Sequence, residues 1–308
     1  MGGGGGGYFR SRTDPEKLKQ KLQDSEARTS DASYEAEASD LLASLLTKFN
    51  DRNHEAINRH LAEIKKALEK ELYGSFDLLF GGSVAKHTYV DGLSDIDSLV
   101  IINSCELSDQ SPEVLREYFA QKIRERFPKS DVQVGKLAVT VRFTDAEIQL
   151  LPAVSCKKHI KIADKTGHEW SLISPEKFSS IFTKTNQQVG LKVVPVVKLA
   201  KAIISNLPEK HQISGYHAES LSVEIFKKYK GDLKPKSMLK HFFQEASQKV
   251  LQPIQDRTGQ SVHVDDYLGD PTSLERRIVS DAFARVYRRI KNADNASSLD
   301  DWKTLFGT

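Results

Sequence analysis

The sequence predicts an α+β fold: a mixed sheet with flanking helices and a long N-terminal spine helix, then a helical C-terminal lobe, with a cleft between the two. Three observations predict it. Tyr34 to Leu72 contains neither proline nor glycine and carries leucines and isoleucines at helical spacing. Between Phe76 and Val154 short apolar runs alternate with turns and one amphipathic helix. Beyond Trp170 helical periodicity dominates.

The elements follow in order. Gly2 to Gly7 is a glycine run with no side chains to bury, and Ser11 to Ser33 is polar, so residues 1–33 read as a flexible arm. In the spine, Leu41, Leu42, Leu45, Leu46 and Phe49 lie on one face. Ile57, Leu61, Ile64, Leu68 and Leu72 continue it, with a break allowed near Asn50–Asn53. Phe76–Phe80 is a short strand, Gly81-Gly82-Ser83 a turn, and Val84–Thr88 a short helix. Asp95–Asn103 reads as a buried central strand. Pro112–Phe127 is an amphipathic helix with proline suited to its first turn. Val132–Phe143 supplies one or two strands and Glu147–Val154 another. The polar stretch around Lys157–Trp170 is followed by helices at Pro175–Phe182, Val189–Asn206, Ala218–Tyr229, Lys236–Val250 and Ser273–Ala293. The expected units are residues 34–155 for the core with its spine, 156–296 for the helical lobe and 297–308 for a C-terminal tail.

The composition bounds the chemistry. The chain has 308 residues, 39% hydrophobic and 28% charged, as expected of a soluble globular protein. No run approaches the length of a membrane span, and the start MGGGGGGYFRSR has no apolar signal-peptide core. A cytoplasmic protein with no membrane partner is expected. A net charge of +3 disfavours stable binding to duplex nucleic acid. Cys105 and Cys156 lack zinc-ligand spacing and are expected to be reduced thiols.

One constellation carries chemistry. Gly82-Ser83 opens a short helix, and Asp95-Ile96-Asp97 then opens the apolar run Leu99-Val100-Ile101-Ile102. Side chains alternate along a strand, so Asp95 and Asp97 share a face about 6.5–7 Å apart. Two carboxylates so placed repel unless a cation lies between them. Oxygen ligands on a rigid element suit magnesium, which keeps substrate phosphates as further ligands. Gly82 lets a phosphate approach the backbone, the Ser83 hydroxyl can donate to it, and Lys86 can add charge. A phosphate grip beside a metal pair points to phosphoryl transfer to a hydroxyl.

The stretch FGGSVAKHTYVDGLSDIDSLVII, Phe80 to Ile102, resembles the signature of DNA polymerase-β-like nucleotidyltransferases. Within that superfamily it is most similar to the bacterial CD-NTases, the cGAS- and DncV-related enzymes that make cyclic oligonucleotide signals in anti-phage CBASS systems. The similarity spans roughly Tyr34 to Ala293 and is strongest at Gly82–Val100. It implies template-independent synthesis of a cyclic oligonucleotide from ribonucleoside triphosphates, ATP among them. Two Mg2+ ions (or Mn2+) would assist, and CBASS accessory proteins are possible partners. It also implies a third carboxylate. Relatives often place an Asp three residues before a proline, where this chain has Gln149 before Pro152; Glu147, two residues earlier on the same face, is taken as the third metal ligand. On the helical side the resemblance implies that Lys198 contacts the donor triphosphate and that Ser214 and Tyr216 line the nucleotide. His217 reads as structural. Arg276, Arg277, Arg285, Arg288 and Arg289 read as a solvated basic face, and Phe306-Gly307-Thr308 as a tail that could be free. Two alternatives stay open: a transferase acting on RNA or a protein, and a catalytically silent nucleotide-binding regulator, which Gln149 motivates.

Overall fold

The computed structural model describes residues 32–49, 54–69, 75–79, 98–104, 109–157, 159–164, 166–254 and 265–308, together with 16, 19, 20 and 23. Gly82, Ser83, Lys86, Asp95 and Asp97 lie outside the described residues.

The spine is two helices, α1 (Ala32–Phe49) and α2 (His54–Glu69). They serve different cores. Tyr34, Ala38, Leu42 and Leu45 of α1 enter the core of the helical lobe, whereas Leu61, Ile64 and Leu68 of α2 are buried against the sheet. Each such leucine or isoleucine contributes about 1.5–3 kcal/mol by leaving water. The spine therefore ties the two lobes together.

The sheet contains β1 (Ser75–Leu79), β2 (Ser98–Asn103), β3 (Asp131–Val134), β4 (Val139–Arg142), β5 (Glu147–Cys156), β6 (His159–Ala163) and β7 (Trp170–Ile173). Its path is β1-β2-β5-β4-β3, with β6 beside β5 and β7 beside β6. β2 and β5 are parallel, with Ser98 opposite Leu150 and Asn103 opposite Ser155; the other pairs are antiparallel. Both faces of β2 are covered, so it reads as a continuous apolar run. Val100 and Ile102 face α2 and α3 (Pro112–Arg126), while Leu99 and Ile101 meet Leu151, Ala153, Ile160 and Ile162. Ser111 caps α3 by accepting the Val114 N–H, and Pro112 occupies its first turn.

Three expectations change. The stretch after Lys157 holds β6 and β7, so the sheet runs on to Ile173 before helices take over. Ile160 and Ile162 alternate toward the sheet's second core, but their polar neighbours masked this weak period. Second, Cys156 is disulfide-bonded and not a free thiol. The chain's other cysteine, Cys105, lies outside the described residues. Counting cysteines could not reveal which strands run side by side. Third, the C-terminal segment is not free. Ser298 caps a last helix, α9 (Leu299–Leu305), whose Trp302 is fully buried and donates its indole N–H to the Tyr34 hydroxyl at 2.9 Å. Phe306 is also buried.

The β6–β7 hairpin turn is locked to α3. Asp164 Oδ1 accepts from the backbone N–H groups of Thr166 and Gly167, and Arg116 donates to the Gly167 carbonyl at 2.9 Å. Gly167 has φ +83°, and a Cβ there would stand 2.7 Å from the Lys136 carbonyl oxygen. Gly167→Ala is expected to destabilise the protein by about 1–3 kcal/mol through strain and that clash, measured by urea unfolding.

The helical lobe comprises α4 (Pro175–Gln188), α5 (Val193–Ser205), α6 (Gly215–Phe226), α7 (Pro235–Lys249), α8 (Leu274–Asn295) and α9. Its core joins Val196, Val197 and Leu199 of α5 to Leu221 of α6, Phe242 and Phe243 of α7, and Phe283 of α8. A buried polar knot anchors α1 to it: Lys236 pairs with Glu35 and with Asp294 (2.7 Å), and Lys240 reaches Asp294 at 3.0 Å. Among the described residues no helix is long and apolar enough to cross a membrane.

Candidate functional site

Of the three acids expected to hold metal, Glu147 is the one among the described residues. Glu147 is the first residue of β5, is exposed, and accepts from Arg142 Nε at 2.6 Å; Arg142 also pairs with Asp131 at 3.0 Å. Those two contacts raise the Arg142 pKa, the Glu147 hydrogen bond most of all. Gln149, two residues on, is half-buried on the same face as Glu147, and Ile148 between them is buried against the helices of the opposite face. Asp95 and Asp97 precede β2 in sequence. Among the described residues no group of three or more His, Cys, Asp or Glu side chains is placed to hold a metal.

The cationic side is built on α5 and the start of α6. Lys198 and Lys201 stand one turn apart on α5 and are both buried. α5 is mostly aliphatic, so these lysines hold their ammonium groups beside an apolar wall. Desolvation lowers the Lys198 pKa, and the neighbouring Lys201 charge lowers it further. Lys201 donates to Glu219 Oε1 on α6 at 2.7 Å, with both side chains buried. Its ammonium lies close to the first turn of α6, because a Cβ on Gly215 would come within 3.3 Å of Lys201 Nζ. Glycine there lets the cation approach the helix end.

Ser214 is the N-cap of α6 and its Oγ accepts the His217 N–H at 3.2 Å. Its hydroxyl also hydrogen-bonds the Tyr267 oxygen, and the helix end it caps favours anions. Tyr216 packs on Phe178 of α4 with ring centroids 4.7 Å apart, and remains 37% exposed, enough to offer part of its ring. Ser214 and Tyr216 stand at the start of α6 with Gly215 and the Lys201 ammonium, which sequence reasoning missed, while Lys198 lies one turn from Lys201 on α5. Lys201 and Glu219 are 18 residues apart, and no local pattern announces their pairing.

Behind this turn lies a buried polar cluster. Tyr267 Oη accepts the Ser214 N–H at 3.0 Å and stands 2.8 Å from His217 Nδ1. Burial lowers the His217 pKa to about 4, against a raising effect of Asp265 and a further lowering by Arg276. The structural reading of His217 agrees with its full burial. Arg276, expected on a solvated face, is instead fully buried, donating to Asp265 Oδ2 at 2.7 Å and to the carbonyls of Gly269, Asp270 and Val250. It heads the apolar stripe Val279, Phe283, Val286 and Ile290, so helical spacing points it inward. Arg277, Arg285, Arg288 and Arg289 are exposed as expected.

Residues 35–186 match the protein family described as the Second Messenger Oligonucleotide or Dinucleotide Synthetase domain. No curated protein matches the chain. Solved structures share the fold at low identity. The Escherichia coli MS115-1 CdnC:HORMA-deltaN complex aligns at 17% identity and TM-score 0.65, covering 85% of this chain and 92% of that one. The Bradyrhizobium diazoefficiens CD-NTase CdnG with GTP aligns at 14% and 0.64, covering 86% and 94%. The Vibrio cholerae DncV cyclic AMP-GMP synthase with a linear intermediate aligns at 12% and 0.60, covering 95% and 89%.

Proposed function

We propose that this chain, a nucleotidyltransferase whose residues 35–186 belong to the second-messenger oligonucleotide or dinucleotide synthetase family, joins ribonucleoside triphosphates into a cyclic oligonucleotide signal by metal-assisted transfer. The observation that carries the reading is that the family match spans Gly82-Ser83 and Asp95-Ile96-Asp97; the lysines of α5 beside the start of α6 support a triphosphate site there.

The donor set fits magnesium. Asp95, Asp97 and Glu147 offer carboxylate oxygen, and Glu147 is open to solvent, with Arg142 as the partner a divalent ion would displace. Bound magnesium would supply charge neutralisation on the triphosphate and a lowered pKa at the acceptor hydroxyl. The remaining work falls to the protein. Lys198, Gly82 and Ser83 hold the β- and γ-phosphates, with Lys86 adding charge. The Ser214 hydroxyl and the first-turn amides of α6 fix the donor at the helix end. Tyr216 sets the base against an aromatic face. The acceptor hydroxyl gives up its proton and attacks the α-phosphorus in line as the α–β anhydride bond breaks and pyrophosphate leaves. The linear product re-enters, and its free hydroxyl closes the ring with loss of a second pyrophosphate.

Structures of relatives with GTP, or with a HORMA partner, support nucleotide binding and an accessory-protein partner as parts of the proposal. Anti-phage signalling in the cytoplasm is the setting it fits. A second reading, a silent nucleotide-binding regulator, is favoured by two features: Gln149 stands where the resemblance implies an acid, and Glu147 is already engaged by Arg142.

Pyrophosphate release separates the two. Glu147→Ala is expected to slow release by about 100-fold, the scale seen when one charge-stabilising group is removed. Thermal unfolding should stay near wild type, because Glu147 is exposed. Release unchanged by Glu147→Ala would remove Glu147 from the metal site. Triphosphate binding with no release by the wild type would favour the regulator.

A further inference from the structure

We propose that Tyr267 is a positioning residue for the donor nucleotide, its hydroxyl fixing the Ser214 amide and with it the phosphate-facing turn of α6. This rests on the triphosphate site proposed above. Tyr267 belongs to the single turn Asp266–Leu268, which lies 53 residues along the chain from Ser214 and contributes nothing to the helix it touches. Its ring is 44% exposed, yet its oxygen is enclosed by the Ser214 N–H at 3.0 Å and His217 Nδ1 at 2.8 Å. A phenol has one proton and two lone pairs. The Ser214 N–H fills one lone pair, so the phenol proton goes to His217 Nδ1, which requires neutral His217 protonated at Nε2. Burial favours that state of both groups: it lowers the His217 pKa and raises that of Tyr267.

The support continues inward. His217 Nε2 points at Asp265, 3.9 Å from Oδ2, and neither Nε2 nor Asp265 Oδ1 finds a hydrogen-bond partner among the described residues. Asp265 is itself held by Arg276 and by the Ile254 N–H at 3.0 Å. The result is a line of polar contacts from Arg276 on α8, through Asp265, His217 and Tyr267, to the residue that caps α6. A helix needs its cap but not a second clamp on the cap's own amide. Tyr267 meets the Ser214 side chain as well as its amide, so the clamp fixes the cap and with it the direction of the Gly215 and Tyr216 amides. Tyr267 touches no substrate in this scheme and acts through Ser214.

The test compares wild type with Tyr267→Phe, which keeps the ring and removes the oxygen. Affinity for non-hydrolysable analogues of the four ribonucleoside triphosphates would be read by calorimetry, alongside KM and kcat for pyrophosphate release and thermal unfolding. The expected result is KM and Kd raised about tenfold, the usual cost of one hydrogen bond, with kcat within about twofold. His217→Leu should follow Tyr267→Phe. His217→Asn, whose amide oxygen can take the place of Nδ1, should recover most of the affinity. Unchanged Kd in Tyr267→Phe, with tight wild-type binding, overturns the positioning role alone. So does a parallel fall of kcat, affinity and stability, which marks a merely structural residue. A wild type that binds no analogue overturns the triphosphate site and this inference with it.

Discussion

Asp97→Asn, and equally Asp95→Asn, is expected to cut product formation by about 1,000-fold, the upper range for losing one preorganised charge-stabilising group. The substitution changes one oxygen for an NH2 group and preserves shape, so the loss comes from chemistry. A neutral amide is a poor ligand for magnesium, and it leaves the negative charge developing on the leaving pyrophosphate less compensated. The two residues lie outside the described residues, but the strand they lead into is secure: Leu99 to Ile102 are at most 4% exposed. Folding should therefore survive. Removing one of two repelling carboxylates leaves stability unchanged or slightly raised. The check pairs initial rates of pyrophosphate release with thermal unfolding. Activity retained in either variant would take the acidic pair out of the mechanism.

Arg276→Ala is expected to be the most damaging single change to stability, at about 3–5 kcal/mol, the cost of leaving one partner of a buried ion pair uncompensated. Both Arg276 and Asp265 are fully enclosed. The loss would also strip donors from four backbone carbonyls and leave Asp265 as a buried charge beside His217. Urea unfolding measures it. Because the pair supports the Tyr267 clamp, triphosphate affinity should weaken in the same variant. Arg276→Met combined with Asp265→Asn should recover part of the stability, since no uncompensated charge then remains. A loss under about 1 kcal/mol in Arg276→Ala would mean that water reaches Asp265.

Much of the architecture was legible because it rests on local periodicity. The apolar steps of α1 and α2, the proline starts of α3 and α4, and the continuous Leu99–Ile102 run each encode their own environment. What escaped depends on pairing across the chain. β6 and β7 are short and half-exposed, and β6 is interrupted by histidine and lysine. α9 is seven residues long and held by Trp302 against Tyr34, a contact 268 residues apart. The site divides in the same way. Ser214, Tyr216 and Lys198 were reachable through resemblance; the first two stand at the start of α6 and Lys198 on α5. Lys201, Glu219 and Tyr267 were not, because each matters through one distant partner. Arg276 was misassigned although its spacing from Val279 and Phe283 already pointed inward. Charge weighed more in that reading than position did.

The most direct test of the central claim is mass spectrometry of what the purified protein makes from the four ribonucleoside triphosphates with magnesium or manganese, after phosphatase treatment. The account predicts a phosphatase-resistant cyclic oligonucleotide that disappears in Asp95→Asn. Triphosphates recovered intact under every metal and nucleotide condition, or a product that forms only on an added RNA or protein, would contradict it.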